Sequence, residues 1–342
     1  MAIKLRPICQ KCRFFLNIST LYLCPARENR KIKFNMSLIV VGTMAFDAIE
    51  TPFGKSDRII GGAATYIAWS ASNFTRPIQQ VSVIGGDFPE SELNALKERG
   101  VDLEGVQIKK DEKSFFWSGK YHMDMNTRDT LDTQLNVLAD FDPVLPDSYK
   151  NAEFLMLGNL MPAVQLKVIS QLNQKPKLTV MDTMNFWMDI ALDDLKKVIS
   201  QVDVLMVNDS EARQLSGEYS LVKAARAIMK MGPAYLVIKK GEHGALLFHK
   251  DQVFFAPALP LEEVFDPTGA GDTFAGGFIG YIAQTRDISF DNMKNAIIVG
   301  SAMASFCVEK FGTARLTEIT KEDIEERINE FVQLVNFDIN II

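Results

Sequence analysis

Phe265-Asp266-Pro267-Thr268-Gly269-Ala270-Gly271-Asp272-Thr273-Phe274-Ala275-Gly276-Gly277-Phe278-Ile279-Gly280-Tyr281 is the stretch from which the rest of the chain can be read. Its glycines permit backbone angles closed to other residues, and Ala270 adds no bulk. The residues that follow have helical character. The N–H groups of Gly269, Ala270, Gly271 and Asp272 are therefore expected to point out of a helix N-terminus, where unpaired N–H groups and the helix dipole attract anions. A phosphate fits there. A carboxylate beside a phosphate costs free energy unless it has a task. For Asp272 the task that fits is accepting a proton from an attacking hydroxyl. An isolated Asp here would read as a helix cap; within the whole run the catalytic base is the stronger reading.

Outward from this turn, short apolar runs alternate with amphipathic stretches. Strands are expected at Leu38–Gly42, Gln80–Ile84, Phe154–Leu157, Leu178–Asp182, Val204–Val207 and Tyr235–Lys239. Helices are expected at Glu90–Arg99, Ala163–Gln174, Leu221–Met231 and Asn292–Val308. Such alternation argues for a mostly parallel sheet covered on both faces, an α/β fold. Two stretches break the rhythm. Ala45–Glu50 and Arg58–Ile60 flank a turn-rich segment and read as a hairpin. Val106–Lys109 and Ser114–Tyr121 read as a second strand pair. Together, about 44–60 and 106–121 are expected to form a small β-lid over a ligand, or a sheet that pairs with a second copy in a homodimer.

Composition bounds the partners. The charge is uneven: residues 1–35 carry +7 within a chain of net charge −6, which leaves an acidic body. An acidic body disfavours non-specific binding to nucleic acid but tolerates a phosphorylated ligand. No run is apolar enough for a membrane span. The body has one cysteine, Cys307, which suits a reducing cytoplasm. Cys9 and Cys12 have the spacing of half a zinc site and lack a second pair. Met36 directly precedes the first strand, so residues 1–35 are expected to be a disordered leader or upstream extension. Residues 36–335 should form the folded domain and 336–342 a tail.

The run Asp266–Ile279 resembles the C-terminal signature of the pfkB, or ribokinase-like, carbohydrate kinases. The resemblance extends through the order of elements from about Met36 to Val335. It implies a three-layer ribokinase-like sandwich with a β-lid, ATP and Mg2+ as cofactors, and a small-molecule alcohol as phosphate acceptor. Asn208-Asp209-Ser210-Glu211 resembles the family's N-x-x-E motif, which implies that Asn208 and Glu211 hold magnesium through water near the nucleotide. An amide and a carboxylate suit that ion, although either Asn208 or Ser210 also suits a helix cap. Lys239-Lys240-Gly241-Glu242-His243-Gly244 resembles the K-x-G-x-x-G loop beside the nucleotide, which singles out Lys239, Gly241 and Gly244; Thr268 joins that set. Asp47 matches the Asp that accepts hydrogen bonds from the acceptor's hydroxyls. Asp182-Thr183-Met184-Asn185 and Gly85-Gly86-Asp87 resemble further family segments.

The departures matter as much. Gly61-Gly62-Ala63-Ala64-Thr65-Tyr66 matches the N-terminal signature in its glycines, but Tyr66 stands where the family usually has Asn. Gly61, Gly62 and Tyr66 are expected at the acceptor. Tyr66 leaves two acceptor classes open: a sugar, or a nucleoside or inositol. It also has a plain alternative as a core residue. Asp266 and Thr268 match positions that help bind a monovalent cation such as K+ in some members. Two other classes are weaker. A non-catalytic relative would not need the intact Asp272 and Gly269–Gly271. A dinucleotide-binding oxidoreductase would need G-x-G-x-x-G after the first strand, and Val41-Gly42-Thr43-Met44-Ala45-Phe46 lacks it.

Overall fold

All four residues of Leu38–Val41 (β1) are buried, and successive side chains of a strand leave on opposite faces. Leu38 and Val40 enter one apolar cluster, Ile39 and Val41 a second. A strand buried on both faces needs helices on both. A computed structural model describes residues 37–336 and has that arrangement. The expectations for residues 1–35, including Cys9 and Cys12, and for 337–342 lie outside the described residues.

The remaining strands are Ala45–Thr51 (β2), Gly54–Gly61 (β3), Ile78–Gly85 (β4), Val101–Asp102 (β5), Val106–Lys109 (β6), Phe115–Tyr121 (β7), Arg128–Gln134 (β8), Phe154–Leu157 (β9), Leu178–Asp182 (β10), Val204–Asn208 (β11), Tyr235–Lys239 (β12), Ala245–His249 (β13) and Gln252–Ala256 (β14). The main sheet runs β14-β13-β12-β11-β10-β9-β1-β4-β5, with β6 also on β4. It is parallel from β12 to β5 and antiparallel at β12-β13-β14. Helices Ala63–Ala71, Ala270–Thr285 and Phe290–Cys307 supply residues to one apolar cluster. Helices Pro162–Ser170, Leu192–Ile199 and Leu221–Met229 supply the other. Three layers result. No helix among the described residues is long and apolar enough to cross a membrane.

A separate sheet, β3-β2-β7-β8, forms the lid. Its composition differs from the expectation in two places. Val106–Lys109 is not a lid strand: it pairs in parallel with Ser82–Gly85. The short β5 covers only Ile78 and Gln79 of β4, so the far half of that strand needs another neighbour. The lid's own extra strand is Arg128–Gln134, which the sequence reading passed over. Its seven residues are all exposed, so it lacks the apolar alternation that marks a half-buried strand.

Candidate active site

Parallel strands deliver chemistry at their carboxyl ends. Asp182 ends β10, Asn208 ends β11 and Lys239 ends β12. In register, Asp182 pairs with Met206 and Asn208 with Lys239, so these ends lie side by side. Lys239 Nζ stands 2.6 Å from Asp182 Oδ2. A Cβ on Gly271 would come within 3.0 Å of the same Nζ, which puts the ammonium against the glycine-rich turn. Burial pulls the Lys239 pKa down, but Asp182, Glu211 and Asp272 lift it above its ordinary value.

The turn itself is built by Asp266. Its Oδ1 accepts from the Thr268 N–H at 2.9 Å and its Oδ2 from the Gly312 N–H at 3.0 Å. Gly269 then takes the left-handed conformation, φ 75°, and starts the helix Ala270–Thr285. Of the four N–H groups expected to face an anion, that of Ala270 turns back onto the Pro267 carbonyl at 3.2 Å. Asp272 sits in the first turn of this helix. Burial, then the nearby charge of Asp182, push its pKa up to about 7, against the opposing pull of Lys239 and Arg128.

Asn208 and Glu211 form a reciprocal helix cap. The Glu211 N–H donates to Asn208 Oδ1 at 2.8 Å, and the Asn208 N–H donates to Glu211 Oε2 at 2.7 Å. Ser210 Oγ also donates to Asn208 Oδ1 at 2.8 Å. The plain capping reading is therefore realised, and the Asn208 oxygen is doubly used. Glu211 nonetheless belongs to the charged cluster: burial raises its pKa to about 7, with Lys239 opposing and Asp182 adding to the rise. Among the described residues no three carboxylates, histidines or cysteines are close enough to hold a metal by themselves.

Asp47 faces this cluster from the lid. It is 5% exposed. A Cβ on Gly61 would fall 1.9 Å from its Oδ2, so glycine is what lets the carboxylate lie there. Burial raises its pKa to about 8, helped by Asp266 and Asp272 and opposed by the Gly62 N–H. Tyr66 lies between Asp47 and the turn. Its ring occupies the space a Cβ on Gly269 would need, 2.4 Å from Cε2. Its hydroxyl is buried and has no hydrogen-bond partner. A buried hydroxyl without a partner is costly, yet the side chain is fully buried in the apolar core, so the plain core reading of Tyr66 is realised.

Gly241 and Gly244 shape the loop after β12. The Lys240 N–H closes it onto the Gly244 carbonyl at 2.8 Å. A Cβ on Gly241 would meet Asn126 Oδ1 at 2.2 Å, so the lid's β7–β8 turn rests on this loop. The lid also touches the glycine-rich turn, where Thr268 Oγ1 donates to the Tyr121 hydroxyl at 3.2 Å. The structure thus brings together Asp47, Gly61, Gly62, Tyr66, Asp266, Thr268, Gly269, Gly271, Asp272, Glu211 and Lys239. Asp87, by contrast, braces the lid's root: it takes Ser114 N–H and Oγ at 2.8 Å and Arg58 at 2.6 Å.

Sequence reading assigned no role to Trp117, Tyr121 or Arg128. For Trp117 and Tyr121 the signal was the alternation Phe115-Phe116-Trp117-Ser118-Gly119-Lys120-Tyr121, which places Trp117, Gly119 and Tyr121 on one lid face; Arg128, in an exposed strand, had none. Only the Tyr121–Thr268 contact shows which face meets the turn.

Comparison with known proteins gives the family and the fold. The profile of the pfkB family carbohydrate kinases matches residues 37–320. A cytidine kinase of Thermococcus kodakarensis is 30% identical over 287 residues, covering 82% of this chain and 99% of the relative. The fold matches the Methanocaldococcus jannaschii nucleoside kinase at TM-score 0.69 and 20% identity, covering 86% and 98% of the two chains. It also matches an E. coli structure described as ribokinase II in complex with ATP and Mg2+, at TM-score 0.71 and 20% identity, covering 87% and 99%.

Proposed function

Since the chain belongs to the pfkB family of carbohydrate kinases, we propose that it is an ATP-dependent nucleoside kinase, which moves the γ-phosphate of ATP to a hydroxyl of the nucleoside's ribose. The observation that carries the acceptor class is the likeness to a cytidine kinase over 99% of that relative's length. This favours the nucleoside over the free sugar. Tyr66, where the family usually has Asn, is compatible with the same choice.

In this reading Asp47 accepts hydrogen bonds from two ribose hydroxyls. Asp272 removes the proton from the attacking hydroxyl. A pKa near 7 suits a base that works near neutral pH. The N–H groups of Gly269, Gly271 and Asp272 meet the charge that develops on the phosphoryl oxygens. Lys239 and the loop Gly241–Gly244 hold the nucleotide. The carboxylates of Glu211 and Asp182, crowded beside one ammonium, are the hard oxygen donors that Mg2+ prefers, with water filling its remaining positions. When bound, Mg2+ neutralises phosphate charge. A K+ near Asp266 would have to share oxygens that already accept from Thr268 and Gly312. The exposed edge strand Arg128–Gln134 is where a second copy would pair if the lid mediates a homodimer.

The test is a panel of cytidine, inosine, ribose and myo-inositol with Mg2+ and ATP, on the wild-type chain and on Asp272→Asn. We expect nucleoside turnover in the wild type and a loss of about 10²- to 10⁴-fold in the variant. Turnover confined to ribose or inositol would overturn the acceptor. Near-wild-type rates in Asp272→Asn would overturn the mechanism.

A further inference from the structure

Trp117 is a large aromatic side chain on the site-facing side of the lid. In the β2–β7 register it lies directly across from Asp47. Two residues apart along β7 come Gly119 and then Tyr121, on the same face. The Tyr121 hydroxyl meets Thr268 of the catalytic turn at 3.2 Å, which fixes this face as the one turned towards the turn. Trp117 therefore sits between the carboxylate that marks the acceptor and the lid's contact with the reacting centre.

The indole is seated rather than loose. A Cβ on Gly119 would fall 2.1 Å from its Cη2 and 2.4 Å from its Cζ2, so the ring lies down along the strand in space that only glycine leaves open. Its Nε1–H donates to Thr130 Oγ1 of β8 at 3.3 Å. The Arg128 guanidinium stands 5.8 Å from a ring centroid. The side chain is half-buried. Its single polar atom is already used, so what remains for a ligand is an aromatic surface. Such a surface favours a flat, π-faced group. A nucleoside has one in its base; a free pentose has none.

We propose that Trp117 is the platform against which the base of the acceptor nucleoside stacks, held in place by Gly119 and Thr130, and that it sets the preference for nucleosides over free sugars. This rests on the nucleoside reading above and names the part of the chain that enforces it. Asp47 and Asp272 address the ribose, and Trp117 addresses what the ribose carries.

Trp117→Ala, Trp117→Phe and Gly119→Ala are compared with the wild type at saturating ATP, with folding checked by circular dichroism. Stacking of this kind predicts a KM for the nucleoside raised about 10- to 100-fold in Trp117→Ala. Trp117→Phe should fall between that variant and the wild type, and the KM for ATP should stay the same. Gly119→Ala, which displaces the indole without removing it, should raise the nucleoside KM as well. Nucleoside binding should quench tryptophan fluorescence in the wild type and much less in Trp117→Phe, although the other two of the chain's three tryptophans remain. An unchanged nucleoside KM in a folded Trp117→Ala overturns the platform while leaving the nucleoside activity standing. A wild type that turns over ribose and no nucleoside overturns both.

Discussion

At the scale of single residues, the site is defined by carboxylates that the fold holds against their preference. Asp47, Glu211 and Asp272 all have pKa values raised to about 7 or 8, with burial as the largest cause. Each therefore binds its proton more tightly folded than unfolded. Such a group favours the fold below its unfolded pKa, and that contribution is lost as pH rises through the folded pKa. The free protein should accordingly be more stable near pH 6 than near pH 8.5. Asp47→Asn keeps the shape and cannot ionise. It should stabilise the free protein at pH 8.5 by about 2 kcal/mol, given about 1.4 kcal/mol per pKa unit and allowance for relaxation. At pH 6, where the unfolded carboxylate is already ionised and the folded one still protonated, the gain should be smaller but not absent. Denaturant melts at the two pH values decide it, and an equal effect at both would remove the ionisation argument. The sequence made Asp272 legible because a long glycine pattern surrounds it. It did not make the strained state of Asp47 legible, because the other charges that crowd it, Asp266 and Asp272, lie more than two hundred residues away.

At the scale of elements, legibility followed burial. The strands Phe154–Leu157, Leu178–Asp182 and Tyr235–Lys239 were readable to the residue, because apolar runs bounded by turns have few other solutions. Arg128–Gln134 was not, because its side chains are solvent-facing and its place is set by pairing with β7 alone. Val106–Lys109 looked like a lid strand by nearness in sequence and instead fills the open edge of β4. The helix Ala270–Thr285 carries a second message beside its glycine-rich start. A Cβ on Gly276 would meet the Ile67 carbonyl oxygen at 2.5 Å, and one on Gly280 would meet the Ala71 Cα at 2.9 Å. The helix can approach Ala63–Ala71 closely only because these positions are bare, and that approach sets Tyr66 against Gly269. Gly276→Ala gains about 1 kcal/mol in helix propensity, yet it must push the backbones apart. Overpacking of this kind costs about 1–3 kcal/mol. We expect net destabilisation of up to about 2 kcal/mol, with a further loss of kcat as Tyr66 and the turn separate. A stability equal to or above the wild type in a thermal melt would contradict the close-approach argument.

At the scale of the whole molecule, the lid connects regions that the sequence presents far apart. Its root carries Asp47, the proposed acceptor contact, its middle carries Tyr121 at the glycine-rich turn, and its tip rests Asn126 on Gly241 of the loop after β12. The tip is a stiff turn: Asp124 accepts from Thr127 Oγ1 at 2.6 Å, from the Thr127 N–H at 2.9 Å and from the Asn126 N–H at 3.1 Å. Arg128 follows directly and pairs across from Tyr121. Its charge opposes the burial-driven rise in the pKa of both Asp272 and Glu211, the two groups that flank the phosphoryl path in the proposed mechanism. A lid that carries a cation to that place does two things on closing: it excludes water and it completes the charge balance of the transition state. If so, Arg128→Ala should lower kcat by about 10²-fold, the loss typical of removing one such group, and should change the acceptor KM much less. Arg128→Lys should recover part of the rate and no more, because an ammonium lacks the planar fork that grips phosphate. Steady-state kinetics on the two variants separates this from a purely structural role, in which KM and stability would move and the lysine would bring no recovery of kcat.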